Sequence, residues 1–222
     1  MAFLRFLSAA GVVPDHLQYA VPRVRQWTHA ALLRFLPTED LNRVLALPTE
    51  ATAKGFRDRA MILLLARFGL RAGEIVRLEL GDIDWRAGTI LIRAGKTRRE
   101  RVFTLPQDAG EALVRYLKEG RATTHHRRIF LNLYPPHEPL ASAVILSGIA
   151  QGELRKAGIN GHRPGAYVFR HPLAAHMVCR GTTFKEVADI LGHRALESTA
   201  IYPKLDLSSL AQVAIAWPGG VE

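Results

Sequence analysis

The most informative part of this sequence lies at residues 167–204, which read YVFRHPLAAHMVCRGTTFKEVADILGHRALESTAIYPK. Two runs within it have helical periodicity, Arg170–Cys179 and Phe184–Leu191, and Gly181 separates them. Gly192 follows the second run, and glycine is the residue that most often ends a helix. The segment therefore predicts two consecutive helices.

The rest of the chain predicts further helices and a small hairpin. Two β-type runs, Thr89–Arg93 and Arg101–Leu105, flank a polar turn that contains glycine. The predicted helices occupy residues 2–11, 38–47, 56–68, 72–78, 107–119, 142–156 and 206–217, and Ile129–Leu131 is a candidate short strand. The predicted fold class is α+β, mainly α-helical, with a small antiparallel β-sheet or hairpin.

Composition indicates a basic domain with a polyanionic partner. The chain has 222 residues, 48% of them hydrophobic, and a formal net charge of +10. This charge favours nucleic acid as the partner. The apolar stretch Met61–Ala66 is too short to cross a bilayer. The single cysteine, Cys179, excludes an intramolecular disulfide, and the histidines form no recognisable metal site.

Five residues in separate motifs are suited to chemistry on a phosphodiester. They are Arg71 in GLRAGEIVRL, Lys96 in RAGKTRRERV, Arg170 in YVFRHPLAAH, His193 in LGHRALESTA and Tyr202 in TAIYPK. Two arginines, a lysine and a histidine can hold a phosphate and neutralise the charge that develops on it. A tyrosine that follows them can act as a covalent nucleophile.

Other residues near these motifs have predicted supporting roles. Glu74 lies three residues after Arg71 and can orient its side chain. Lys96 lies in the most basic stretch of the chain, where four flanking arginines suit contact with a DNA backbone. These predicted DNA-binding residues are Arg93, Arg98, Arg99 and Arg101.

The order and local sequence of these motifs resemble the catalytic domain of tyrosine recombinases, the phage integrase family, from about Thr38 to about Leu210. The resemblance implies that Tyr202 cleaves DNA through a 3′-phosphotyrosine intermediate and that Lys96 protonates the leaving 5′-oxygen. It implies that Arg71, Arg170 and His193 stabilise the transition state. It also implies double-stranded DNA as the partner, a homotetramer on DNA, no cofactor or metal, and a cytoplasmic, nucleoid-associated protein.

The sequence departs from the family pattern at two places. The family has His-x-x-Arg-His where this chain has Tyr167-Val168-Phe169-Arg170-His171, so Tyr167 replaces a histidine that normally helps to accept the nucleophile's proton. A phenol is a poor base near neutral pH, whereas His171 keeps its supporting position. Residues 1–36 are predicted to be a remnant of an N-terminal DNA-clamping domain with its linker, and residues 37–222 the catalytic domain.

Two alternatives to an integrase or recombinase remain open at this point. The first is a truncated, catalytically impaired DNA-binding relic of a mobile element, which the short N-terminal region and Tyr167 both favour. The second is an enzyme that nicks and closes DNA like a type IB topoisomerase, which uses the same phosphotyrosine chemistry.

Overall fold

The computed structural model of the protein describes residues 2–14, 36–93, 100–160 and 165–192. The chain divides into two compact units, Met1–Leu33 and Arg34–Glu222. In the first unit, helix α1 (Ala2–Ala9) is amphipathic, with Phe3 and Phe6 exposed. The interpretation of residues 1–36 as a clamp remnant stays a prediction.

The second unit is mainly helical and contains one small sheet. Among its described residues the order is α2 (Thr38–Ala46), α3 (Ala53–Phe68), α4 (Ala72–Ile75), β1 (Ile83–Asp84), β2 (Thr89–Ile92), β3 (Arg101–Thr104), α5 (Gln107–Arg115), α6 (Val144–Lys156), α7 (Arg170–Cys179) and α8 (Phe184–Leu191). A π-helical turn, Tyr116–Gly120, extends α5, and a 3-10 turn, Ala166–Phe169, precedes α7. The predicted fold class is confirmed.

Helix α3 forms the centre of the core because it is buried on nearly all sides. Its run Ala60–Ala66 is buried without interruption. The helix starts at Ala53, three residues before the predicted start, because the Thr52 hydroxyl accepts a hydrogen bond from Gly55 N at 3.0 Å. It ends at Gly69, whose φ of 57° lies in the left-handed region that favours glycine.

The sheet has three antiparallel strands in the order β1-β2-β3. Ile90 of β2 pairs with Ile83 of β1 and with Phe103 of β3. Strands β2 and β3 confirm the predicted hairpin, whereas β1 was not predicted. Two residues are too few to show an alternating pattern, so only the pairing with β2 defines this strand.

Two predictions in the middle of the chain are wrong in detail. Helix α4 ends at Ile75 and not at Leu78, since the chain turns there and Leu78 O accepts a hydrogen bond from Ile129 N at 2.9 Å. The segment Ile129–Leu131 is buried but is not a regular strand: Leu131 forms an isolated bridge with Pro139.

Helices α7 and α8 have the predicted bounds, and Gly181 between them has a φ of 84°. Thr183 caps α8, where its side chain and that of Glu186 exchange hydrogen bonds with each other's backbone N–H groups. Gly192 ends α8 with a φ of 64°. In the part of the chain that the structure describes, no helix is both long and apolar enough to cross a membrane.

Candidate active site

Arg170 joins the C-terminal ends of two helices. It is the first residue of α7, and its side chain is buried. Its guanidinium donates one hydrogen bond to Gly69 O at the end of α3, at 2.9 Å, and another to Leu191 O at the end of α8. Carbonyls at helix C-termini lack helical partners and carry partial negative charge, so they are suitable acceptors for a buried cation.

Arg71 binds the same end of α8. It precedes α4 in an extended conformation, and its Nη2 donates to Gly192 O at 2.6 Å. Because Gly192 immediately precedes His193 in the sequence, both predicted catalytic arginines are bonded to the two residues before that histidine.

Glu74 contacts both the backbone and the side chain of Arg71. One carboxylate oxygen accepts a hydrogen bond from the Arg71 backbone N–H at 2.9 Å, and the other lies 3.3 Å from the Arg71 guanidinium. Burial on its own would raise the pKa of Glu74. The Arg71 N–H bond and the positive charges of Arg101 and Arg71 outweigh this effect, so the pKa of Glu74 is lowered and the carboxylate stays ionised.

Arg101, predicted to bind DNA, points into the protein. Its side chain is 13% exposed and its Nη2 lies 2.7 Å from the Glu74 carboxylate. Its Nη1 donates to Ile190 O at 2.6 Å. The structure therefore adds a third arginine at the end of α8, a position for which the sequence offered no signal beyond the basic charge of the hairpin.

Arg93, another predicted DNA ligand, forms an ion pair at the start of the hairpin. Its Nε lies 2.5 Å from the buried carboxylate of Asp82, and its guanidinium lies 4.0 Å from Glu79. Its side chain is more than half exposed, so it reaches solvent beyond this pair. Its predicted contact with DNA stays a prediction.

Tyr167 and His171 pack against each other, and His171 directly follows Arg170. The two rings meet edge to face with centroids 5.7 Å apart, and Tyr167 is 43% exposed. A Cβ on Gly165 would lie only 2.5 Å from the Tyr167 ring, so that glycine allows the ring to pack against the backbone. Burial, together with the nearby Arg170 charge, lowers the pKa of His171 and favours its neutral form near neutral pH.

The remaining predicted site residues lie outside the described ranges. They are Lys96, Arg98, Arg99, His193 and Tyr202. Within those ranges the structure brings Arg71, Glu74, Arg101 and Arg170 together around the end of α8. It shows no cluster of side chains there that could hold a metal ion.

This arrangement is suited to binding a phosphate. An arginine presents several N–H donors in a planar fork that matches phosphate oxygens, and its charge persists at any physiological pH. Backbone carbonyls and Glu74 hold these guanidinium groups in place, which reduces the entropy lost when a ligand binds to them. The site can therefore stabilise negative charge that develops on a phosphoryl group.

Comparison with known proteins assigns the family. Residues 34–208 match the phage integrase family. A Sinorhizobium fredii protein named as an integrase/recombinase, y4rA, is 39% identical over 98% of this chain and 53% of its own length. Tyrosine recombinase XerC of Oceanobacillus iheyensis is 32% identical over 90% of this chain and 66% of its own length.

Solved structures share the fold. XerA recombinase superposes with a TM-score of 0.67 at 25% identity, covering 93% of this chain and 70% of that one. XerH recombinase, bound to its palindromic difH substrate, superposes with a TM-score of 0.73 at 24% identity, covering 90% of this chain and 57% of that one.

These matches define a class, the DNA recombinases. The chain belongs to the phage integrase family of tyrosine recombinases. It spans about half the length of two Sinorhizobium fredii integrase/recombinase relatives, y4rA and y4rF.

Proposed function

We propose that this chain is the catalytic part of a site-specific DNA recombinase or integrase that acts through a 3′-phosphotyrosine intermediate. One observation carries the proposal. Arg71 and Arg170, which are far apart in sequence, donate hydrogen bonds to Gly192 O and Leu191 O, directly before His193. Two of the residues predicted to bind one phosphate therefore hold the helix end that directly precedes the third, His193, in the sequence.

In the proposed reaction the phenolic oxygen of Tyr202 attacks a backbone phosphorus and loses its proton to a base. The P–O5′ bond breaks, and Lys96 gives a proton to the departing oxygen. Arg71, Arg170 and His193 stabilise the charge on the pentacoordinate transition state. The 5′-hydroxyl of a second strand then attacks the phosphotyrosine, which restores the phosphodiester and frees Tyr202. One phosphoester replaces another, so the reaction needs no energy cofactor.

The partner in this proposal is double-stranded DNA, bound by a homotetramer during strand exchange. The net charge of +10 supports a polyanionic partner. The related structures of XerH and lambda integrase are described as complexes with a difH substrate and a COC′ core site, respectively. A cytoplasmic, nucleoid-associated location follows from this function and is part of the proposal.

The test is covalent trapping on DNA. Duplexes tiled across the DNA that flanks the gene carry a nick close to each candidate cleavage position, so that the short released strand diffuses away and rejoining fails. We expect the native chain to form a denaturant-resistant protein–DNA adduct. Tyr202→Phe should abolish the adduct and retain DNA binding, because it removes one hydroxyl only.

Tyr134→Phe is the matched control, since Tyr134 is 81% exposed and lies outside the site. It should trap DNA like the native chain. Adducts that persist in Tyr202→Phe would contradict the proposed nucleophile.

A second function, DNA binding without cleavage, is favoured by one observation: Tyr167 stands where the family has a histidine. Under this alternative the native chain would bind the duplexes and trap none of them. An adduct that rejoins its own strand, and never a second one, would instead indicate a nicking and closing enzyme.

A further inference from the structure

The Arg101 side chain is bonded to several groups of the protein itself. It follows Lys96 by five residues in the sequence, and it opens strand β3. Its guanidinium donates to Glu74 at 2.7 Å and to Ile190 O at 2.6 Å, and its Cζ lies 5.6 Å from the centre of the Phe103 ring. Only 13% of the side chain is exposed.

The Arg101 guanidinium packs against the backbone of Gly192. A Cβ on Gly192 would lie 3.1 Å from Arg101 Cζ, which is tighter than ordinary packing, so the arginine lies directly against the glycine. Gly192 also accepts the hydrogen bond from Arg71 through its carbonyl. Arg71 and Arg101 thus contact the same residue from two directions and share the Glu74 carboxylate.

We propose that Arg101 is a positioning residue, which holds Arg71 through Glu74 and fixes the C-terminal end of α8 through Ile190 O and Gly192. This role replaces the direct DNA contact predicted from the sequence. The inference rests on the proposed function for its catalytic consequence, while the intramolecular linkage stands on the contacts alone.

The first measurement needs no catalysis. Binding of a random-sequence duplex is followed from about 50 to 200 mM salt, where the slope of log K against log salt reports the phosphates that are contacted. Arg101→Gln should leave the slope unchanged. Arg98→Gln, in the predicted DNA-binding turn, should reduce it by about one. Exposed Arg86→Gln controls for the lost charge. A slope reduced by about one in Arg101→Gln would overturn the inference.

The second measurement follows the Glu74 carboxyl by ¹³C NMR as the pH is lowered. The pKa of Glu74 is held down in part by the Arg101 charge. Arg101→Gln should therefore raise the pKa of Glu74, and Arg86→Gln should not. An unchanged pKa would mean that Arg101 and Glu74 are not linked in solution.

The third measurement is the rate of adduct formation. A displacement of about 1 Å in a reacting group costs about 10²-fold, so Arg101→Gln should slow cleavage by about that factor without weakening DNA binding. Arg101→Lys should recover part of the rate, since the lysine ammonium keeps the charge but lacks the planar guanidinium fork that spans the two acceptors. A native rate in Arg101→Gln would contradict a positioning role.

A bridging 5′-sulfur in the substrate separates this role from that of Lys96. A thiolate leaves without a proton, because a thiol has a pKa of about 8.5. The sulfur should restore cleavage to Lys96→Ala and leave Arg101→Gln slow, and rescue of Arg101→Gln would contradict the inference. If the native chain forms no adduct on any duplex, the proposed function fails, while the salt and NMR measurements still decide whether Arg101 is internal.

Discussion

Tyr167 is the residue whose chemistry departs most from the family pattern. Its phenol takes the place of a histidine, and it is exposed next to the neutral ring of His171. Tyr167→His would introduce a base with a pKa of about 6.5, close to the working pH. If proton transfer from Tyr202 limits cleavage, this change should raise the single-turnover rate by up to about 10²-fold, the lower end of general-base effects.

Quench-flow cleavage of the trapping duplex measures this rate, and Tyr134→His serves as the exposed control. An unchanged rate in Tyr167→His would mean that a different step, or a different base such as His171, controls the reaction.

His171 makes the free energy of unfolding depend on pH. Burial and the Arg170 charge lower its pKa in the folded chain, whereas the unfolded chain has the ordinary value of about 6.5. Between these two values the unfolded chain binds more protons, so stability rises with pH. The contribution of His171 to the free energy of unfolding is therefore fully present above about pH 6.5. It is lost as the pH falls below that value towards the lowered pKa of the folded chain.

Urea unfolding at a series of pH values from 5 to 7.5 tests this prediction. His171→Gln should flatten the rise in stability, and His176→Gln, an exposed change on the same helix, should not. A native slope in His171→Gln would show that another group causes the pH dependence.

The position of a single residue in the site was predictable where a sequence motif surrounds it, and it was not predictable from the charge of the residue alone. The GLRAGE and FRH contexts pointed to Arg71, Glu74 and Arg170 as site residues; their roles stay predictions, and the structure places all three around the end of α8. Arg93 and Arg101 belong to the same basic stretch of sequence, and charge alone predicted one role for both. Their ion-pair partners, Glu74 and Asp82, come from other segments, so only the tertiary structure separates the two roles.

At the scale of elements, the end of α8 supports the part of the site that the structure describes. It has left-handed backbone at Gly192, and carbonyls of its last residues accept hydrogen bonds from three arginines. Gly192→Ala would combine strain at a φ of 64° with a contact of 3.1 Å against Arg101. Left-handed backbone costs a non-glycine residue about 1–2 kcal/mol, and displacement of Arg101 should add to this loss.

Gly181→Ala is the matched control because Gly181 has a φ of 84° and no atom lies within 4 Å of its Cβ position. Thermal unfolding should show a loss in both variants and a larger one in Gly192→Ala. Equal losses would mean that the Arg101 guanidinium moves away from Gly192 at no cost.

Elements were predictable where local signals set their limits. Three glycines mark ends of helices in the sequence, and each has the positive φ that a helix end or a tight turn requires: Gly69, Gly181 and Gly192. Strand β1 has only two residues and is defined by its pairing with the nearby strand β2, so its own sequence carries no alternating pattern. The early end of α4 depends on Ile129, a partner far along the chain that no local pattern encodes.

At the scale of the whole molecule, the site is assembled from helix ends that are distant in sequence. Arg71 reaches a carbonyl 121 residues away, and Arg170 reaches one 101 residues away. The order of the motifs along the chain therefore did not by itself predict that they converge. It indicated a shared site only through the family resemblance. Their convergence depends on how α3, α7 and α8 pack together.

Mapping of the DNA-linked peptide tests the central claim, covalent chemistry at Tyr202, most directly. The trapped adduct is digested with nuclease and trypsin and analysed by mass spectrometry. We expect nucleotide mass on the tyrosine of ALESTAIYPK, residues 195–204, because this peptide contains Tyr202. Nucleotide mass on AGINGHRPGAYVFR, residues 157–170, would assign the chemistry to Tyr167 and contradict the account.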